Sequence, residues 1–121
     1  MHGIGWVDLT VDDAEGVRDF YARVMGWRSE AVDMSGYADF NMCDPATGTP
    51  AAGVCHARGA NAGLPPVWLV YFEVADLERS LGEVGGAGGE VLQGPRQAGG
   101  TRFAVVRDPA GAVRALFQAG A

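Results

Sequence analysis

Lysine is absent from this chain of 121 residues, and all nine of its cationic side chains are arginines. Aspartate and glutamate total 15, which gives a formal net charge of -6. Because nucleic-acid binding depends on clustered cations that neutralise phosphates, this charge argues against a nucleic-acid partner. No apolar stretch approaches the roughly 20 residues of a membrane helix, and no charged leader followed by an apolar segment opens the chain. These absences predict a cytoplasmic protein that binds neither nucleic acid nor membrane.

Cysteine is also scarce, since Cys43 and Cys55 are the only two in the sequence. Two cysteines without a signal sequence are more typical of reduced strand or core residues than of a disulfide, and both alternatives stay open here. Their separation does not match the C-x-x-C spacing of zinc–thiolate sites. The cysteines therefore give little support to a zinc site.

The chain contains two similar segments, WVDLTVDDAEGVRDFYARVMGW and LVYFEVADLERSLGEVGGAGGEV. Val11 matches Val74 and Asp13 matches Asp76, both at an offset of 63 (74 − 11 = 76 − 13 = 63). A fixed offset between similar segments indicates tandem copies of one structural unit. We expect a single domain over 1–121, with one module at about 1–57, a linker at 58–66 and a second module at about 67–121.

Hydrophobic periodicity predicts the same order of elements in both modules. Apolar residues alternate with polar ones before Asp13 and before Asp76, the two aspartates that match at the offset of 63. Apolar side chains then recur at helical spacing. Asp12 or Asp13 is a suitable helix N-cap, and Gly26 suits the left-handed position after the helix. Each module is therefore βαβββ. Strands are predicted at 4–11, 27–33, 36–43, 50–56, 67–74, 89–93, 101–107 and 112–118, and helices at 14–25 and 76–84.

This arrangement resembles the vicinal oxygen chelate superfamily, also called the glyoxalase/bleomycin-resistance/dioxygenase fold. The motifs that carry the resemblance are LTVDDAEGVRDFYARVMGW, YFEVADLERSL and RFAVVRDPAGAVRALFQ, with a DPATG turn in the first half and a DPAG turn in the second. The resemblance implies an α+β fold, in which two tandem βαβββ modules form a curved eight-stranded mixed sheet around a cavity, with the helices outside. It also implies a homodimer.

Enzymes of that superfamily hold a divalent metal with four side chains, usually His or Glu, on the first and last strands of each module. The offset of 63 places the matching positions at Trp6, Ala52, Leu69 and Ala115. None of these side chains can ligate a cation. Among other donors, His2 lies near the start of the chain, whereas Cys55 and His56 are neighbours that would point to opposite faces of a strand. We therefore expect the metal-free branch of the superfamily, with no metal and no other cofactor.

Strand alternation predicts which side chains line the cavity. The strand face on which the superfamily's metal ligands would lie combines aromatic rings, aliphatic side chains and two carboxylates, as ligand sites commonly do. The opposite face is more uniformly apolar and is expected to pack under the helices. For the strand at 36–43, the sequence does not decide whether Asp39 and Asn41 or Phe40 and Met42 face the cavity. The predicted ligand-binding residues are Trp6, Asp8, Thr10, Val54, Leu69, Tyr71, Glu73, Val113 and Phe117, with Ala52 and Ala115 in the same wall.

Two functions are consistent with this cavity. The first is a metal-free protein of the bleomycin-resistance type that binds or sequesters an aromatic or cationic natural product, as in antibiotic resistance. The second is a metal-independent isomerase, cyclase or lyase, in which Asp8 or Glu73 is the general base and Tyr71 donates a hydrogen bond to an oxyanion. A third alternative is a module that contacts a protein partner through a sheet edge or through the face that carries Arg114.

Overall fold

The computed structural model describes residues 3–98 and 100–120. These residues form two compact units. The N-terminal unit is Val7–Trp68, and the C-terminal unit joins the described residues before Val7 to those from Leu69 onward. The change of unit at Trp68 lies just past the predicted linker, and a single domain over the whole chain stays a prediction. His2 lies outside the described residues.

The elements of the N-terminal unit are β1 (Ile4–Val11), α1 (Ala14–Met25), β2 (Arg28–Asp33), β3 (Ala38–Cys43) and β4 (Pro50–His56). The strand order is β2-β3-β4-β1. Strand β1 pairs in parallel with β4, whereas β2 with β3 and β3 with β4 are antiparallel. A short 3₁₀ turn, Gly59–Asn61, follows the last strand inside the predicted linker.

Helix α1 begins and ends at the residues that its sequence favours. The Asp13 carboxylate accepts a hydrogen bond from the Gly16 N–H at 3.0 Å, which satisfies one of the free donors of the first turn. Gly26 adopts a φ of 72°, which a side chain would disfavour, and its N–H closes the last turn on the Ala22 carbonyl. These two signals explain why the predicted bounds of the helix, 14–25, are confirmed.

The core of the N-terminal unit lies between α1 and one face of the sheet. Ala14, Phe40, Met42 and Val54 form its buried centre. The rings of Tyr21, Trp27 and Trp68 pack against this centre, and the Trp68 indole N–H donates to the Tyr21 hydroxyl at 3.1 Å. Because a buried indole N–H otherwise loses its water partner, this bond anchors Trp68 on the α1 side of the sheet.

The elements of the C-terminal unit are β5 (Trp68–Glu73), α2 (Leu77–Val84), β6 (Glu90–Ala98), β7 (Thr101–Arg107) and β8 (Val113–Gln118). The unit repeats the architecture with the strand order β5-β8-β7-β6. Its first and last strands, β5 and β8, are again parallel, and the others are antiparallel. Asp76 caps α2 by accepting from the Arg79 N–H at 3.1 Å. Buried Leu77 donates its N–H to the Gln118 side chain at 2.8 Å, which ties the helix to the last strand.

The predicted α+β class and the βαβββ order of both modules are confirmed, and the pairing is mixed as expected. One strand is longer than predicted: β6 continues to Ala98, well past the predicted end at 93. Gly94 and Pro95 suggested a turn at that point, but the strand accommodates them through irregular pairing with β7. Within the part of the chain that the structure describes, no helix is both long and apolar enough to cross a membrane.

The core assignment leads to a prediction about two methionines. Met42→Ala should lower the free energy of unfolding by about 2–5 kcal/mol, because it leaves a cavity where a side chain with 0% exposure had packed. Met25→Ala is the matched control, since Met25 is 52% exposed in the last turn of α1 and should change stability by less than about 1 kcal/mol. Urea unfolding followed by tryptophan fluorescence measures both. Equal losses in the two variants would contradict the placement of Met42 in the core.

Candidate functional site

One face of the C-terminal unit carries several of the predicted ligand-binding residues. The parallel register of β5 and β8 places Tyr71 opposite Ala115 and Glu73 opposite Phe117. Because Gln118, the neighbour of Phe117, is hydrogen-bonded to α2, these residues lie on the face that points away from the helix. The structure therefore brings Tyr71, Glu73 and Phe117 together, as the sequence predicts.

Two further residues of this face are not among those that the sequence predicts. Phe103 on β7 lies opposite Phe117, and Arg96 on β6 lies opposite Phe103. The ring centroids of Phe103 and Tyr71 are 5.9 Å apart, and the guanidinium carbon of Arg96 lies 4.6 Å from the Phe103 centroid. All of these side chains are half-buried. We refer to Tyr71, Glu73, Arg96, Phe103 and Phe117 as the aromatic face.

For Arg96, the difference follows from the length of β6. Arg96 lies beyond the predicted end of that strand, so strand alternation could not assign it to a face. The β6–β7 ladder also shifts register twice, between Val91 and Gln93 and between Gln93 and Arg96. Only the ladder itself shows that Arg96 and Phe103 are opposite one another. The sequence offers one signal for this pair, since the cationic Arg96 lies only a few residues before the aromatic strand residue Phe103.

The remaining predicted residues of this unit are less accessible. Leu69 is 4% exposed and Ala115 is 0% exposed, so both support the face from within the core. Val113 is half-buried and alternates with Arg114, which lies opposite Val106 on the other face. The accessible surface of the site is therefore formed mainly by the aromatic face.

Trp6 and Phe117 do not point to the same side of the sheet. A Cβ built on Gly5 would come within 2.2 Å of Cζ of the Phe117 ring, so the ring occupies the space that a side chain at Gly5 would need. Since neighbouring residues of a strand point to opposite sides, Trp6 points away from the side that Phe117 covers. The expectation that Trp6 and Phe117 line one wall is wrong, because the contact belongs to Gly5.

In the N-terminal unit, the register of β1 and β4 decides which residues share a face. Asp8 lies opposite Gly53, Thr10 opposite Cys55, and Leu9 opposite Val54. Asp8 is half-buried and Thr10 is 5% exposed. Val54 instead belongs to the core under α1. The prediction that Val54 lines a ligand site together with Asp8 and Thr10 is therefore wrong.

The cause is one extra residue at the start of β4. Met42 pairs with Ala52, whereas the next residue of β3, Cys43, pairs with Pro50, which leaves Ala51 as a bulge. A one-residue shift moves every later side chain to the opposite face. Ala52 accordingly lies opposite core residue Met42, and the positions that share a face with Asp8 are Gly53 and Cys55.

The same ladder answers the question that the sequence left open for β3. Phe40 and Met42 are buried in the core under α1. Asp39 and Asn41 therefore lie on the other face, and Asn41 is opposite Gly53. This face of the N-terminal unit carries carboxylates and small polar groups, whereas its α1 side is apolar.

Asp39 forms the centre of a polar cluster in the N-terminal unit. Its carboxylate is buried, at 6% exposure, and its Oδ1 accepts the His56 backbone N–H at 2.8 Å. The same oxygen is 3.3 Å from Nδ1 of His56, and the other ring nitrogen is 3.8 Å from the Glu15 carboxylate. A buried carboxylate requires such donors. His56 is the last residue of β4, so this cluster fixes the end of that strand.

Cys55 lies next to this cluster. Burial raises the pKa of the Cys55 thiol, and the carboxylates of Asp8 and Asp39 raise that pKa further by disfavouring a nearby thiolate. A thiol in this state is a poor nucleophile at neutral pH. Both Cys43 and Cys55 are free, so the structure favours reduced cysteines over a disulfide between them.

Comparison with known proteins identifies the family. The model of the Glyoxalase/Bleomycin resistance protein/Dioxygenase superfamily matches residues 3–114. The chain belongs to this superfamily. The resemblance seen in the sequence motifs is thereby confirmed.

Relatives of the chain include a protein of Streptomyces and a protein of Mycobacterium. The anthracycline biosynthesis protein DnrV of Streptomyces peucetius is 32% identical over 127 residues, which cover 95% of this chain and 46% of that protein. Protein CFP32 of Mycobacterium tuberculosis is 29% identical over 116 residues, which cover 94% of this chain and 44% of that protein. This glyoxalase-superfamily chain thus spans less than half the length of these relatives.

Solved structures show the same fold. Protein BH1468 of Bacillus halodurans superposes with a TM-score of 0.62 at 13% identity, covering 99% of this chain and 96% of that one. The methylmalonyl-CoA epimerase of Mycobacterium tuberculosis superposes with a TM-score of 0.55 at 16% identity, covering 98% of this chain and 89% of that one. At these identities the likeness concerns the fold of the superfamily alone.

The residues present do not fit the metal site of the superfamily's enzymes. After correction for the bulge, the four matching positions are Trp6, Gly53, Leu69 and Ala115, and none has a donor side chain. Among residues 3–98 and 100–120, no group of three or more His, Cys, Asp or Glu side chains is arranged to hold a metal ion. These four positions therefore lack the side chains with which the superfamily's enzymes hold their metal.

The surroundings of Cys55 predict slow alkylation in the folded protein. At about pH 8 a free cysteine is partly thiolate, whereas the raised pKa of Cys55 should leave it protonated and slow its reaction with iodoacetamide. Asp8→Asn removes one of the two negative charges and should speed the reaction. Peptide mass spectrometry separates Cys55 from Cys43. Labelling of Cys55 at the same rate in native and urea-unfolded protein would contradict the prediction.

Proposed function

We propose that this chain binds a planar aromatic small molecule on the aromatic face of its C-terminal unit, and that binding requires no metal. The observation that carries the proposal is the Arg96–Phe103–Tyr71 arrangement, with a guanidinium 4.6 Å from one ring and a second ring 5.9 Å away. These side chains are half-buried on a sheet face rather than enclosed in a core. They can therefore accept a further ring.

The energetics of stacking support this kind of ligand. Offset or edge-to-face aromatic pairs contribute about 0.5–1.5 kcal/mol each beyond the apolar area that they bury. A guanidinium beside a ring adds a contribution of similar size. A ligand that contacts Phe103, Tyr71 and Phe117 at once would gain several such contributions, which is sufficient for micromolar binding once apolar burial is included.

The names of two relatives suggest the first ligands to test. DnrV and the 30% identical DauV of Streptomyces strain C5 are both named anthracycline biosynthesis proteins. An anthracycline is a planar aromatic polyketide with an amino sugar, so it presents both a flat ring system and a cation. We propose that this chain sequesters a natural product of that chemical type in the cytoplasm, as a homodimer, in the manner of a resistance protein.

The proposal predicts a specific loss of binding in one variant. Daunorubicin fluorescence should change on titration with the wild-type protein, and Phe103→Ala should weaken binding about tenfold, which corresponds to about 1.4 kcal/mol. Phe72→Ala is the matched control. Phe72 lies opposite Leu116 on the other face of the same sheet and is 39% exposed, so its loss should leave the affinity unchanged.

Two results would contradict the proposal. The first is absence of binding by daunorubicin and by a panel of smaller planar aromatics at millimolar concentration. The second is an equal loss of affinity in the Phe103→Ala and Phe72→Ala variants, which would place the ligand elsewhere or indicate general destabilisation. Sedimentation of the protein with and without ligand tests the homodimer separately.

A metal-independent enzyme remains the second candidate function, because Glu73 and Tyr71 lie on one face of β5, two positions apart. A carboxylate base and a phenol donor at this spacing can serve proton abstraction next to a carbonyl. Asp8, the other predicted base, lies in the N-terminal unit opposite Gly53. It is close enough to Cys55 to raise the pKa of the Cys55 thiol. Product formation that disappears in Glu73→Gln but persists in Asp8→Asn would favour catalysis by Glu73.

A further inference from the structure

We infer that the ligand of the aromatic face carries an acidic group at one end of its aromatic body and a basic group at the other. This inference rests on the proposed function, since it specifies the chemistry of the molecule that binds there. The observation behind it is the order of side chains along one row across four strands. That order is Arg96, Phe103, Phe117 and Glu73.

The row follows directly from three cross-strand pairs. Arg96 on β6 pairs with Phe103 on β7, Phe103 pairs with Phe117 on β8, and Phe117 pairs with Glu73 on β5. Neighbouring strands are about 4.8 Å apart, so the Cα atoms at the two ends of the row are separated by about 14 Å. The row therefore places a cation and a carboxylate at opposite ends of two adjacent aromatic side chains.

The cationic end is suited to a planar acid. All N–H groups of a guanidinium lie in its own plane. When a guanidinium lies over a protein ring, these groups can reach a carboxylate or phenolate that extends from a stacked ligand ring. Arg96 has this position over Phe103. A bidentate pair of this kind is stronger and more directional than an ammonium contact.

The acidic end is held in place by the backbone. The Glu73 N–H donates to the Gly3 carbonyl at 2.8 Å, which fixes the end of β5. The Glu73 side chain is half-buried beside Phe117, whose ring covers Gly5. Partial burial strengthens the attraction between a carboxylate and an amine, since water screens the pair less than at an open surface.

The opposite face of the same sheet distributes its charges differently. Arg102 lies opposite Gln118 and forms an ion pair with Glu78 of α2. This arginine therefore connects the sheet to its helix. Arg102 provides a matched control, since it is one strand away from Arg96 and has the same charge on the helix side.

The test uses one rigid aromatic compound in four forms. 4′-(Aminomethyl)biphenyl-4-carboxylic acid has an acid and an amine at opposite ends, and its methyl ester, its N-acetyl derivative and the doubly blocked compound remove either charge or both. Calorimetric titration of the wild-type protein should give the tightest binding with the unblocked compound and a loss of about tenfold for each blocked group.

The variants assign each charge to its residue. Arg96→Gln should abolish the preference for the acid over the ester and keep the preference for the amine. Glu73→Gln should do the reverse, and Arg102→Gln should change neither preference. The doubly blocked compound shows that each variant retains its binding surface, because stacking on the rings does not require the ligand charges.

The outcomes separate this inference from the proposed function. Equal affinity for all four compounds would overturn the inference and leave aromatic binding supported. Preference for the unblocked compound that persists in both Arg96→Gln and Glu73→Gln would also overturn it. Absence of binding by every form, together with absence of daunorubicin binding, would instead count against the proposed function itself.

Discussion

The parallel pairing of the first and last strands within each module is the constraint on which the rest of the structure depends. It sets Asp8 opposite Gly53 in one module and Tyr71 opposite Ala115 in the other. Because side chains alternate along every strand, each of these pairings decides which residues lie under a helix and which lie on the free face. Burial, polarity and the candidate site all follow from those two registers.

The two modules use this common frame for different chemistry. The free face of the N-terminal unit presents Asp8, Asp39 and Asn41, and the buried Asp39 carboxylate organises the end of β4 through His56. The corresponding face of the C-terminal unit presents aromatic rings with one charge at either end. The two modules therefore share the order of their elements and the positions of the helix caps, Asp13 and Asp76, while their free faces carry different side chains.

Local signals explain what the sequence predicted well. The caps at Asp13 and Gly26 act within one turn of α1, and the alternation in β5 and β8 is uninterrupted, so the helix bounds and the grouping of Tyr71, Glu73 and Phe117 could be read directly. A bulge depends on how a strand pairs with its neighbour and leaves no signature in the hydrophobic alternation of either strand alone. For that reason Val54 was assigned to the wrong face, and Arg96 was not assigned at all.

The bulge at Ala51 has a consequence for how such proteins diverge. Removal of this one codon would leave Pro50 paired with Cys43 and Ala52 with Met42 in an uninterrupted ladder, so Gly53 and Cys55 would stay on the free face of β4. A bulge at a strand start can thus absorb an inserted residue without exchanging the surface groups of the rest of the strand. One module of a duplicated chain can therefore gain or lose a residue while its free face is preserved.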